Sequence, residues 1–210
     1  MTKKAKKIID VLDDMFPDAT VELTHKNTYE LLVAVILSAQ ATDVSVNKVT
    51  PLLFKTYPTI SSLSKANISD VENIIKTIGL YKTKAKNIVH MANQLIDTFG
   101  GIIPSNREDL ESLSGVGRKT ANVVLSNAFN IPLIAVDTHV HRVSIRLGIA
   151  NKKDSVWVTE QKLYKTFPKE RYTKLHHQMI FFGRYHCLAR NPKCKECKLY
   201  DVCVYENKTA

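Results

Sequence analysis

Apolar residues recur along this chain at helical spacing and almost nowhere with the alternation of a half-buried strand. Ile8, Val11, Leu12 and Met15 fall at i, i+3, i+4 and i+7, one helical stripe that Pro17 ends. Asn27 with Glu30 three residues on reads as a capping box, opening a helix through Leu31–Ala39. That helix is apolar nearly all round, so it is expected to be central and buried. The next runs from about Asp43 to Lys55, before Tyr57–Pro58. Ser69 with Glu72 is a second capping box, and Gly79 is expected to close its helix. Lys82–Phe99 reads as a long helix stopped by Gly100–Gly101. Ser105 with Glu108 is a third box, leading into Leu110–Leu113. Helices resume at about Arg118–Phe129, Thr138–Leu147 with Gly148 as its cap, Val156–Phe167 and Arg171–Gly183. The apolar run Ile131–Val136 could be a strand by composition, but Pro132 turns the reading to an extended crossover and a candidate domain boundary. The fold expected is all-α, with helices packed through short connections.

Composition adds bounds. The chain has 210 residues, 44% of them hydrophobic, enough for one large domain or two small ones sharing a core. Its 7 Gly and 7 Pro argue against a disordered or fibrous chain. The longest apolar stretch, Leu31 to Leu37, is far too short to span a bilayer. Lys3, Lys4, Lys6 and Lys7 are followed by Asp10, Asp13 and Asp14, not by an apolar core, so no export signal is read and a reducing intracellular compartment is expected. The net charge of +10 attracts polyanions, although charge alone serves solubility equally well.

All four cysteines sit near the C-terminus: Cys187, Cys194, Cys197 and Cys203, a C-x6-C-x2-C-x5-C run. One cluster of four thiolates can hold a single metal centre. Three readings compete. Two disulfides suit a small secreted protein. A zinc site usually comes as two C-x2-C pairs, and only one is present. A [4Fe–4S] cluster is favoured, and Arg184, Arg190, Lys193, Lys195 and Lys198 stand nearby in sequence to offset its negative charge.

The second motif is Leu113-Ser114-Gly115-Val116-Gly117-Arg118-Lys119-Thr120-Ala121, between a short helix and an amphipathic one. Two glycines one residue apart make a tight turn, or let backbone approach a partner closely. The helix that follows offers unpaired N–H groups and the positive end of its dipole, which together seat an anion. A Walker loop is excluded, because the G-x4-G-K-[ST] spacing is absent. Lys119 falls in the first turn of that helix. A lysine there is ordinarily a solvated residue, but the helix N-terminus disfavours its ammonium form and partial burial would add to that. A neutral amine is what Schiff-base chemistry needs. Asp137, in Val136-Asp137-Thr138-His139, is either a plain helix N-cap or a carboxylate aimed at Lys119; the two roles are compatible.

These motifs occur in one order, with Leu37-Ser38-Ala39-Gln40-Ala41-Thr42-Asp43, Gly79-Leu80-Tyr81 and Gly183-Arg184 among them. Together, from about Asn27 to Cys203, they resemble the endonuclease III family of helix–hairpin–helix DNA glycosylases and abasic-site lyases. The resemblance implies an all-α, two-domain fold. A six-helix barrel domain carrying the helix–hairpin–helix would span residues 22–132, and residues 1–21 with 133–210 would form a helical iron–sulfur cluster domain. DNA would lie between them. By the same resemblance Lys119 is the nucleophile and Asp137 its carboxylate partner. Gln40 fills the space of an extruded base and Leu80 wedges into the opposite strand. Gly115, Val116, Gly117 and Arg118 hold a phosphate, the four cysteines ligate a [4Fe–4S] cluster, and Arg190 and Lys193 on the Cys187–Cys194 loop touch phosphates. His176 and His177 are candidate site-lining residues, with a structural role the more ordinary reading.

The implied activity is removal of oxidised pyrimidines from double-stranded DNA with cleavage 3′ to the abasic site. A monomer would do this in a bacterial cytoplasm, at the nucleoid and with no membrane. Adenine- and thymine-mismatch relatives usually lack a lysine at the Lys119 position, so Lys119 favours the bifunctional lyase. The rival from another class is a non-catalytic DNA-binding module with a structural metal centre.

Overall fold

The computed structural model describes residues 1–208; among them are eleven α-helices and no strand. No helix among the described residues is long and apolar enough to cross a membrane. The chain divides into two compact units, Val21–Phe129 and Met1–Thr20 joined with the chain from Asn130 onward. Helix α1 (Lys3–Met15) belongs to the second of these. Thr2 caps it, its hydroxyl accepting from the Ala5 N–H at 3.1 Å, and Ala5, Ile8, Ile9 and Leu12 form its buried stripe.

The Val21–Phe129 unit holds α2 (Thr28–Leu37), α3 (Asp43–Thr56), α4 (Ile60–Ser64), α5 (Ile68–Ile75), α6 (Tyr81–Phe99), α7 (Arg107–Glu111) and α8 (Arg118–Ala128). Helix α2 is buried from Tyr29 through Leu37 and packs against α3, α6 and α8. Each of its large apolar side chains contributes roughly 1.5–3 kcal/mol by leaving water. Asn27 caps it as the sequence predicts, accepting from the Glu30 N–H at 2.9 Å. The Glu30 carboxylate instead accepts from Lys26, one residue earlier than a capping box requires, at 2.7 Å.

Two other expected caps move by one or two residues. Asn67, not Ser69, caps α5, and Asn106, not Ser105, caps α7; their side-chain oxygens accept from Ser69 N at 3.0 Å and Asp109 N at 2.9 Å. Asn caps as well as Ser, so a neighbouring Asn can take the role. A reciprocal box that the sequence reading missed lies at α4, where Thr59 and Ser62 each satisfy the other's backbone N–H. Nor does Gly79 close a helix. Helix α5 ends at Ile75, and Leu80 takes the left-handed conformation, φ 59°, just before α6. Gly100, with φ 60°, stops α6 as expected.

In the other unit, residues 131–136 are neither helix nor strand, and lead into α9 (Thr138–Arg146), α10 (Val156–Thr166) and α11 (Tyr172–Phe181). The apolar stripe of α1 joins Val140 and Val143 of α9, Leu163 of α10, and Leu175 and Met179 of α11 in one core. Asp13 ties α1 to the α11 region, accepting from Arg171 at 2.6 Å, Gln178 at 2.9 Å and Lys174 at 3.1 Å. Burial pushes the Asp13 carboxyl up, but these three donors outweigh it and bring it down to about 2. The last turn of α11 widens into π-helix over Phe182–His186, closed by the Cys187 N–H donating to Phe182 O at 2.7 Å. π-Turns of this kind recur at functional sites. Gly183 belongs there by necessity, since a Cβ would stand 2.8 Å from that of His139.

Candidate functional site

The π-turn delivers Cys187 to a pocket that all four cysteines line. Every thiol is free of disulfide bonding. The cation facing Cys187 comes from α9, not from the cysteine-rich tail. Arg146 is 7% exposed, and its Nη1 lies 3.3 Å from Cys187 Sγ and 2.6 Å from Leu188 O. Its Nη2 donates to Ala189 O at 3.1 Å. Arg142, one turn earlier on the same helix face, donates to Gly183 O at 2.8 Å and to Cys187 O at 3.2 Å. Among the tail cations, Arg190, Lys193 and Lys195 are exposed, and Lys198 pairs with Asp14. The sequence reading missed Arg142 and Arg146, which lie some forty residues upstream of the cysteines.

Burial pushes the Cys187 thiol up, while Arg146 and Arg142 pull it the other way. Burial likewise raises Cys197, against a hydrogen bond from the Leu199 backbone. Cys203 Sγ donates to Arg146 O at 3.2 Å. Among the described residues, no group of three His, Cys, Asp or Glu side chains is disposed to hold a single metal ion. The donor set is nonetheless that of a soft-metal centre: four thiols on one pocket beside a buried cation. Among the described residues, Arg146 meets carbonyls, a sulfur and the Tyr205 ring, 4.1 Å from its guanidinium, and no carboxylate. A buried charge calls for a counter-charge, which the cysteines could supply if deprotonated by a bound metal.

In the other unit, the Gly115–Gly117 turn joins α7 to α8. Gly115 has φ +79°, and a Cβ there would meet Asn87 Cβ at 2.9 Å and Ile36 Cγ2 at 3.1 Å. Gln94 of α6 braces the turn from behind, accepting from Ser114 N at 2.7 Å and donating to Ser112 O at 3.1 Å. Val116 is buried and pins the turn. Gly117 differs from Gly115. Its backbone is extended, it caps α8 without a side-chain hydrogen bond, and a Cβ would meet nothing within 4 Å. Arg118 and Lys119 begin α8. Lys119 is exposed, so burial adds nothing there: α8 turns Ala121, Val124 and Leu125 inward, and Lys119 lies off that stripe.

Gln40 and Leu80 share an unusual backbone. Both are left-handed, φ 53° and 59°, a conformation costing an L-residue roughly 1–2 kcal/mol. Leu80 is also 57% exposed, where a leucine at a helix start is ordinarily buried. A Cβ on Gly79 would lie 3.7 Å from Gln40 O, so the two segments are neighbours.

Asp137 belongs to the unit of the cysteines. It is half-buried and caps α9, Oδ1 accepting from the Val140 N–H at 2.8 Å. His139, two residues on, has its imidazole pushed down by burial, with Asp137 opposing and Arg142 and Arg184 adding to the push. His176 and His177 are buried side by side in α11, and burial brings His177 down to about 4.

Comparison with known proteins follows the same lines. Residues 33–169 match the HhH-GPD superfamily of base excision DNA repair proteins. Endonuclease III of Bacillus subtilis (strain 168) is 50% identical over 201 residues, 96% of this chain and 92% of that protein. A solved non-covalent endonuclease III–DNA complex superposes with a TM-score of 0.93 at 50% identity, covering 97% of this chain and 96% of the other. A trapped covalent endonuclease III–DNA intermediate gives 0.91 at 51% identity, covering 97% of each.

Proposed function

The chain belongs to the endonuclease III family, within the HhH-GPD superfamily of base excision DNA repair proteins, and on that premise we propose that it excises oxidised pyrimidines from duplex DNA and then cuts 3′ to the abasic site. The observation that carries the reading is Lys119 in the first turn of α8, directly after the Gly115–Gly117 turn. The relative trapped as a covalent intermediate with DNA supports a bonded step. Acting by covalent catalysis, the Lys119 amine attacks C1′, and the glycosidic bond breaks with its electron pair leaving on the base. The nitrogen then loses a proton, the C1′–O4′ bond of the sugar ring breaks with O4′ taking up a proton, and an imine forms between C1′ and Lys119. Loss of a C2′ proton next expels the 3′ phosphate, and water releases the enzyme.

A base inside a duplex cannot be reached, so the nucleotide must leave the stack at a cost of a few kcal/mol. Leu80, exposed and held left-handed, is the wedge that offsets this, and Gln40 beside it fills the vacated space. Gly115, Val116, Gly117 and Arg118 shape the phosphate seat. Gly117 leaves the α8 N-terminus uncovered, which lets a phosphate approach the open N–H groups. Asp137 has one oxygen committed to the α9 cap; the other stabilises positive charge developing on the sugar. Its place of action is chromosomal DNA in a bacterial cytoplasm.

Cys187, Cys194, Cys197 and Cys203 would hold a [4Fe–4S] cluster. A single zinc ion usually takes two C-x2-C pairs, and only one such pair is present here. When bound, the cluster supplies a redox-active centre and fixes the Cys187–Cys194 loop. That loop turns at Asn191, φ 50°, and exposes Arg190 and Lys193 toward phosphate.

Borohydride trapping on an oxidised-pyrimidine duplex tests the reading. The wild type should give a covalent adduct, and Lys119→Gln should bind the duplex yet trap nothing. An adduct that persists in Lys119→Gln would place the nucleophile elsewhere. A protein that binds DNA but neither releases base nor nicks would be the non-catalytic module instead. Base release without nicking would point to a mismatch-type glycosylase.

A further inference from the structure

We propose that Arg146 sets the resistance of the metal centre to oxidation, through its hydrogen bond to Cys187 and its hold on both ends of the cysteine run. The inference deepens the proposed function and rests on its [4Fe–4S] reading. Arg146 ends α9, and its side chain is all but removed from solvent. The guanidinium reaches Cys187 Sγ, Leu188 O and Ala189 O, so it fixes the first ligand and the loop that leaves it. Its own carbonyl accepts from Val204 N at 2.8 Å, so the chain directly after the last ligand hangs on the same residue. Tyr205 stacks beneath the guanidinium, and Lys208 donates to Cys203 O at 2.9 Å, closing the tail over the pocket.

No carboxylate neutralises Arg146 among the described residues, and Arg142 beside it is a like charge. Its positive field therefore falls on the thiolates. An N–H donor to a ligating sulfur, with a buried cation behind it, favours the more electron-rich state of an iron–sulfur centre. Removing both makes the loss of one electron to an oxidant easier. Arg146 is thus a positioning and electrostatic residue, remote from the chemistry at Lys119.

The experiment compares full-length wild type, Arg146→Lys and Arg146→Gln purified without oxygen. Readouts are iron per chain, the midpoint potential by voltammetry, and bleaching of the blue visible absorbance by ferricyanide, which takes one electron per centre. Arg146→Gln is expected to load iron but to lose it to a chelator roughly ten- to a hundredfold faster. Its midpoint should fall and its bleaching quicken, with Arg146→Lys in between because it keeps charge without the planar fork. If Arg146→Gln does not fold, Arg146→Lys against wild type carries the same test. An iron-loaded variant with wild-type midpoint and bleaching would overturn the role of Arg146. A wild type that binds one zinc ion per chain, or no iron, would instead overturn the [4Fe–4S] reading, leaving trapping at Lys119 as a separate result.

Discussion

Gly115 and Gly117 look alike in the sequence and should behave oppositely when each is changed to alanine. At Gly115 the backbone is left-handed, which costs an L-residue roughly 1–2 kcal/mol. The new methyl would also press on Asn87 Cβ at 2.9 Å and Ile36 Cγ2 at 3.1 Å, and overpacking of that kind costs about 1–3 kcal/mol. Together, Gly115→Ala should lower stability by about 2–5 kcal/mol. At Gly117 the backbone is extended, φ −104°, and a methyl meets no protein atom. Stability there should hold or rise by up to about 1 kcal/mol, since alanine restricts the unfolded chain. The methyl would instead stand where a phosphate must approach the α8 N-terminus. Charge-assisted hydrogen bonds are worth about 1.5–3 kcal/mol each, so losing one should weaken duplex binding roughly tenfold or more. Losing that phosphate should also reduce the slope of log K against log salt by about 0.9. Urea unfolding and fluorescence anisotropy on a labelled duplex at several salt concentrations measure both effects. Unchanged affinity and salt slope in a folded Gly117→Ala would refute the phosphate seat, and wild-type stability in Gly115→Ala would refute the steric argument.

Other consequences are equally direct. Leu80→Gly relieves a left-handed leucine, so its melting temperature should hold or rise while single-turnover base excision falls sharply; excision at the wild-type rate would remove the wedge role. Asp13→Asn should lower the urea midpoint at pH 7. The folded carboxyl titrates near 2, below its ordinary 3.8, so its contribution is complete above the unfolded value and is lost as pH falls from about 4 through 2. With the side chain about a third exposed, that contribution is roughly 1–2 kcal/mol after solvent screening. The difference between wild type and Asp13→Asn should therefore shrink across that window, and a constant difference would exclude the ionic account.

The helices themselves were legible because burial imposes periodicity. The stripe of Ile8, Leu12 and their neighbours, and the all-apolar Leu31–Leu37, could be placed without a structure. Caps were less so, since Asn67 and Ser69, or Ser105 and Asn106, are chemically similar hydrogen-bond acceptors one or two residues apart. Which one wins depends on where the chain turns. Gly79 was misread for a related reason. Glycine is the residue that most readily takes positive φ, yet Gly79 does not take it; a Cβ there would make only an ordinary 3.7 Å contact with Gln40 O, and a leucine bears the strained conformation. Only coordinates reveal that inversion, and it bears on function: strain on an exposed apolar side chain is hard to account for by packing.

The cysteines and their support divide the same way. Cysteine is scarce and chemically distinctive, so four of them in one short run announce themselves. Arginine is common, and nothing in the one-turn spacing of Arg142 and Arg146 on α9 separates them from an ordinary basic helix face. The structure separates them through burial. Exposed Arg190 and Lys193 keep their water and are free to meet phosphate, while Arg146 has exchanged water for three carbonyls, a ring and a thiol sulfur. A guanidinium gives up its hydration only where other hydrogen-bond acceptors replace it. The cations nearest the cysteines in sequence are thus exposed and are the ones proposed to meet phosphate, while the cation that faces Cys187 comes from the helix that Asp137 caps.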